Sequence, residues 1–165
     1  MTTTTPESPP GVTVRRAEEA DLIGVSHIEK LSFPQPWPYD AFGRFLDAPG
    51  FLVADDGDHV VGFVVGDRVP NHGEALGHVK DLAVHPQRRG DGIGRLLLST
   101  AIERLRERGV VSVKLEVRES NDAARSLYDS FGFRALRRVP RYYDDGEDAI
   151  VMLLDLTADH SNGEE

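Results

Sequence analysis

The stretch "HPQRRGDGIGRLLL", His85 to Leu98, gathers Gly90, Gly92 and Gly94 with Arg88, Arg89 and Arg95 where an apolar strand pattern gives way to a helical one. The first turn of a helix carries backbone N–H groups without intrahelical partners, and the helix dipole adds positive potential there. Glycines let an anion approach that backbone, so the junction suits a phosphate or pyrophosphate. The competing reading is a tight surface turn with solvated arginines. Neither common nucleotide loop fits: "GRLL" lacks the Gly-Lys-Ser/Thr ending of a P-loop, and "LEVRESN" lacks the acidic strand end of a dinucleotide-binding unit.

Further chemistry lies downstream. "VSVKLEVR" alternates, with Val113, Leu115 and Val117 on one face and Lys114, Glu116 and Arg118 on the other. Glu116 is therefore either a general base or an ion-pair partner of Lys114 or an arginine. Tyr128 offers a phenol of pKa about 10 as a proton donor, or a core aromatic beside Leu127 and Phe131. The chain has no cysteine, which removes disulfides, thiolate metal sites and a cysteine nucleophile. His72, Glu74 and His78 match no common metal spacing; they are read as solvent-facing or structural, and no metal is expected.

The elements that must position these residues follow from periodicity. Val12 to Arg16 alternates as a short strand, and Leu22, Ile23, Val25, Ile28 and Leu31 recur at helical spacing over 21–31. The prolines of "SFPQPWPYD" end that helix, and 40–46 forms a second, short one. "FLVAD" and "HVVGFVVGD" make a hairpin across "DGD"; a loop at "RVPNHGE" leads to a strand over 75–84. Ile93, Leu96, Leu97, Ala101, Ile102 and Leu105 form one stripe of a helix over 92–108, with Gly109 as its stop. The Glu116 strand comes next, then a helix capped by Ser120-Asn121 and ending near Gly132, then strands over 133–139 and 149–156. The pattern predicts a mixed α/β sheet with helices on its faces.

Composition bounds the rest. The 165 residues, 39% hydrophobic, suit one domain over 12–156, with "MTTTTPESPPG" (1–11) and 157–165 as polar tails. No stretch reads as a signal peptide or membrane span, so a cytoplasmic location without a membrane partner is expected. A formal net charge of -9 argues against nucleic acid as a partner. Only Lys30, Lys80 and Lys114 are lysines among 19 basic residues, a bias that high-salt adaptation or a GC-rich genome would produce.

"RRGDGIGRLL" resembles the acetyl-CoA signature of the GNAT acyltransferases, Gln/Arg-x-x-Gly-x-Gly/Ala, with Arg89, Gly92 and Gly94 at its fixed places. "LEVRESNDAARSLYDSFGF" and "YYDDGEDAIVM" are similar to the later motifs of N-terminal protein acetyltransferases, of the bacterial ribosomal-protein-alanine type and its archaeal relatives, and "HIEKLSFPQPWP" is a looser match. The resemblance, over residues 77–155, implies a GNAT fold: a mixed, mostly antiparallel sheet of six to seven strands, splayed between its two central strands, with about four helices. It implies acetyl-CoA as co-substrate in that splay, its pyrophosphate on Arg88, Arg89, Gly90, Asp91, Gly92, Ile93, Gly94 and Arg95. Leu82, Ala83 and Val84 would meet the pantetheine and acetyl carbonyl through their backbone, and Asn121 would cap its helix, touch the cofactor, or do both. Glu116 is implied as general base through a water, Tyr128 as general acid beside the CoA sulfur, and Phe33, Trp37, Tyr142 and Tyr143 as the peptide groove. The implied acceptor is a protein N-terminus, ribosomal proteins included. A small-molecule amine, a lysine side chain or a non-catalytic acyl-CoA module are the alternatives.

Overall fold

The computed structural model describes residues 11–157. The tails expected at 1–11 and 157–165 lie outside the described residues, save for Gly11 and Thr157. Seven strands and four α-helices follow one another as β1 (Thr13–Arg16), α1 (Leu22–Ser32), α2 (Tyr39–Gly43), β2 (Gly50–Asp55), β3 (Val60–Asn71), β4 (Glu74–Val84), α3 (Ile93–Glu107), β5 (Ser112–Arg118), α4 (Asp122–Ser130), β6 (Arg134–Val139) and β7 (Ala149–Asp155). They form a single sheet in the order β1-β2-β3-β4-β5-β7-β6. Every neighbouring pair is antiparallel except β4 and β5. That parallel pair needs a crossover, and α3 supplies it.

The two faces bury separate cores. On one, α1 and α2 pack Leu22, Val25, Ile28 and Phe42 against Phe51, Val53, Phe63 and Val65. On the other, Leu97, Leu98, Ala101 and Leu105 of α3 meet Leu52, Val64, Val79, Val113 and Leu115, and Tyr128 of α4 joins them. The period-two alternation of β5 thus reads as expected, with Val113, Leu115 and Val117 buried and Lys114, Glu116 and Arg118 on the α1 side.

Two boundaries differ from the sequence reading. The expected loop at 68–74 is instead a hairpin end: β3 and β4 stay paired out to Asn71 opposite Glu74, closed by His72 and Gly73 at φ 50° and 87°. Pro70 is tolerated there because β2 pairs with β3 only as far as Gly66, so the outer edge of β3 needs no donor at that point. The second helix ends at Gly43 rather than at residue 46, and i to i+3 turns such as Ala48 N–H to Phe45 O at 2.8 Å carry the chain onward.

Candidate active site

The parallel pairing of β4 and β5 is short, running from Leu76 opposite Ser112 to Val79 opposite Leu115. Beyond it the strands part. Gly66 of β3 faces Val79 while the adjacent Val65 faces Asp81, so Lys80 is an extra residue bulged out of β4. The opening between Lys80–Val84 and Glu116–Arg118 is the splay, and it holds two clefts that meet.

The larger cleft, about 460 Å³, lies between the end of β4 and the start of α3. Leu82, Ala83, Val84, Arg88, Arg89, Gly90, Gly92, Ile93, Gly94, Arg95, Asn121 and Tyr128 all line it. Asp91 does not; its carboxylate is held by Arg88 Nε at 3.2 Å. Gly92 caps α3 at φ 86°, a conformation in which a side chain would be strained. The first bond of the helix runs from Leu96 N–H to Gly92 O at 3.1 Å, so the amides of Ile93, Gly94 and Arg95 precede the intrahelical ladder. Arg89 donates from Nε to Val84 O at 3.0 Å and Arg95 from Nη2 to Ser130 Oγ at 2.9 Å, which sets both guanidiniums at the rim. Bare helix amides, a side-chain-free approach and two arginines are the donor set a pyrophosphate requires, so the cleft fits the phosphate end of acetyl-CoA.

The smaller cleft, about 280 Å³, opens on the α1 side between β4, β5, the α1–α2 loop and the β6–β7 loop. Phe33, Trp37, Tyr142, Tyr143 and Glu116 line it. Trp37 serves two purposes, since its ring also packs on Phe42 and Phe45 at 5.1 and 5.7 Å. Tyr142 and Tyr143 stack edge-to-face at 4.9 Å, and the Tyr143 phenol is pushed up to about 12 by burial and by Tyr142. Asn121 caps α4 through Oδ1, which accepts from Ala124 N–H at 3.1 Å. Phe33, Leu82, Asn121, Ala124 and Tyr128 belong to both clefts, so Tyr128 stands at their junction. Its ring lies edge-on to Phe133 at 5.7 Å, and burial pushes its phenol well above the usual value.

Glu116 has the ion pair the sequence allowed, with Lys114 Nζ at 3.3 Å, together with a shorter contact to His78 Nε2 at 2.7 Å. Lys80 Nζ lies 3.2 Å from His78 Nδ1, so an ammonium donating there leaves the Nε2–H to face Glu116. Burial pushes the Glu116 carboxyl up, but the His78 hydrogen bond and the charge of Lys114 outweigh it and hold the group below the usual carboxylate range.

Sequence reasoning missed three contributors. His78 meets Glu116 only through the β4–β5 register, which sequence does not carry. Arg118 was visible two residues beyond Glu116 on the same face. Its Nη1 reaches Asp145 and Glu147, each at 2.9 Å, its guanidinium lies 4.1 Å over the Tyr143 ring, and its Nη2 donates to Gln35 Oε1 at 3.4 Å. It therefore ties the β6–β7 loop to the α1–α2 loop across the cleft. Lys80 was hidden by the bulge. His72 and Glu74 lie at the far hairpin, exposed, and no group of metal-ligating side chains occurs among the described residues.

Comparison with known proteins agrees with this geometry. Residues 22–133 match the model of the acetyltransferase (GNAT) family. The chain is 34% identical over 150 residues to an N-alpha-acetyltransferase of Sulfolobus acidocaldarius, covering 84% of this chain and 89% of that one. It is 33% identical over 153 residues to the ribosomal protein bS18-alanine N-acetyltransferase of Escherichia coli K12, covering 88% and 98%. The crystal structure of Ard1 from Thermoplasma volcanium superposes with a TM-score of 0.82 at 27% identity, over 88% of this chain and 98% of that one. A signature cradle on α3, a splayed central pair of strands and a family match over most of the sequence have one meaning: the chain belongs to the acetyltransferase (GNAT) family and is an acetyl-CoA-dependent N-acetyltransferase.

Proposed function

We propose that this enzyme acetylates the free α-amine of protein N-termini, ribosomal proteins among them, in the cytoplasm, with Glu116 as general base and Tyr128 as general acid. The observation that carries the reading is the meeting of the two clefts at Leu82 and Tyr128, with Glu116 on the acceptor side alone. The relatives named for N-alpha and ribosomal-protein-alanine acetylation support it. No helix among the described residues is long and apolar enough to cross a membrane.

Acetyl-CoA supplies an activated acetyl group and a thiolate leaving group. The chain's own residues must then manage protons and position. An α-ammonium has a pKa of about 7.7–8.0 and must lose a proton before its nitrogen can attack. The ionised Glu116, braced by His78, takes that proton through a water between carboxylate and amine. Direct attack in a ternary complex follows from one continuous opening with no cysteine to carry the acetyl group. We assign the polarisation of the acetyl carbonyl to the Leu82 to Val84 backbone. Tyr128 hydrogen-bonds the departing sulfur and gives up its proton; its raised phenol is still protonated at neutral pH when the thiolate forms. Phe33, Trp37, Tyr142 and Tyr143 close around a chain end and leave little room for the long stem of a lysine.

Two matched peptides test the assignment, one with a free N-terminus and no lysine, the other blocked and carrying one lysine. The free α-amine should be acetylated well and the lysine poorly. Equal or faster acetylation of the blocked peptide would overturn the N-terminal reading.

A further inference from the structure

Two acids in the wall of the acceptor cleft, Glu29 buried and Asp81 half-buried, take no part in the chemistry above. Glu29, in the last turns of α1, is 2% exposed, and its Oε2 accepts from the Trp37 N–H at 2.9 Å, which fixes the α1–α2 loop. Asp81 directly follows the β4 bulge, and its Oδ1 accepts from the Leu82 N–H at 2.9 Å. The other two oxygens, Glu29 Oε1 and Asp81 Oδ2, are sealed from solvent with no donor facing them. Yet the two carboxyl groups line the same cleft wall and interact directly.

Two carboxylates that interact directly cannot both ionise in a buried place without a cation to balance them. The charged neighbours do not supply one. Lys80, bulged out beside Asp81, has its ammonium at His78 and 5.5 Å over the Phe45 ring. Arg118 of β5 is taken up by Asp145 and Glu147, and Tyr128 of α4 faces Asp81 as a neutral phenol. Burial, then Glu29, drives the Asp81 carboxyl well above the usual carboxylate range. Its Oδ1 already accepts, so its proton sits on Oδ2.

We propose that Asp81 is a neutral carboxylic acid whose Oδ2–H donates to Glu29 Oε1, and that this bond positions the α1–α2 loop against the β4 bulge as one wall of the acceptor cleft. The bond is independent of what the cleft binds; its effect on the acceptor rests on the proposed function. Both residues are positioning residues. Glu29 reaches the cleft through Trp37, and Asp81 reaches it through Leu82.

Trp37 is the only tryptophan of the chain, so its fluorescence reports on this loop directly. The infrared difference between the wild type and Asp81→Asn at neutral pH should contain the C=O stretch of one protonated carboxylic acid. Asp81→Asn keeps a donor to Glu29 without a titrating group, and should keep the Trp37 emission and the acceptor KM of the wild type. Asp81→Leu removes the donor; Trp37 emission should shift to the red and acceptor KM rise about tenfold, the ratio expected when a buried hydrogen bond is lost, with acetyl-CoA affinity changed far less. Absence of the acid band overturns the proposal, as does Asp81→Asn behaving like Asp81→Leu. Should Asp81→Leu not fold, the infrared band and Asp81→Asn decide alone. An acid band and a Trp37 shift without any effect on a peptide acceptor would refute the acceptor assignment and leave the bond standing.

Discussion

Glu116 sits largely out of water between a lysine and a histidine, and the balance of those forces sets what it can do. Because its carboxyl is held below the usual range, it is ionised throughout the region where an α-amine titrates. The rising limb of kcat/KM against pH should therefore lie at about 7.7–8.0, the value of the acceptor amine, and should not move in Glu116 variants. Glu116→Gln should lower kcat at neutral pH by roughly 10²-fold, the low end of what a positioned base contributes, with acetyl-CoA affinity within a few-fold. A wild-type rate from about pH 6 to 9 in that variant would reduce Glu116 to an ion-pair partner. The lowered carboxyl also contributes stability that is present at neutral pH and lost as pH falls through its folded value, so Glu116→Gln should flatten the acid side of a Tm-against-pH curve. Tyr128→Phe keeps the ring against Phe133 and removes only the hydroxyl; kcat should fall while Tm holds, and an unchanged kcat would mean that solvent protonates the sulfur.

At the scale of elements, the junction of β4 and α3 makes the most exposed commitment. A Cβ at Gly94 would meet Val84 Cγ2 at 3.6 Å and Leu127 Cδ2 at 3.8 Å, ordinary contacts, so a side chain there is tolerated by the helix and projects toward the cofactor cleft. Gly94→Glu should therefore leave Tm nearly unchanged, because an acidic residue in a first turn suits the helix dipole, yet abolish acetyl-CoA binding by placing bulk and charge at the proposed pyrophosphate site. Unchanged affinity by calorimetry would remove the junction from the site. The same elements show what sequence could and could not disclose. Strands and helices were legible because their apolar residues recur with period two or as a helical stripe, and α3 declared itself through Leu97, Ala101 and Leu105. The hairpin end at 68–74 was not, since Pro70 signals a break wherever its edge position is unknown. Strict alternation places Asp81 on the side of Val79; the bulge at Lys80 turns it to the opposite face, toward Glu29, and a bulge has no sequence signature. His78 reached Glu116 through a register between strands separated by the whole of α3. Chemistry set by one strand's period was readable, and chemistry set by two strands' register was not.

The whole molecule adds a field to this site. A formal charge of -9 attracts cationic acceptors from beyond contact range, and Asp144 places one acidic group at the acceptor cleft itself. The acidic residues nearby are not equivalent: Asp145 and Glu147 are spent on Arg118, so their contribution to the field is largely cancelled locally. What reaches an incoming peptide is the distributed charge, which acts on encounter more than on the bound state. A peptide with basic residues beyond the first few should therefore show a higher kcat/KM than a neutral peptide with the same first two residues, and the difference should lie in kcat/KM rather than kcat. Salt separates this from a specific pocket. Screening shortens to about 3 Å at 1 M ionic strength from about 30 Å at 0.01 M, so the advantage of the basic peptide should shrink steadily over that range while the neutral peptide changes little. If the basic peptide keeps its advantage at high salt, a direct contact such as one to Asp144 recognises it; if it has none at low salt, the acidic surface plays no part in acceptor choice and serves solubility alone.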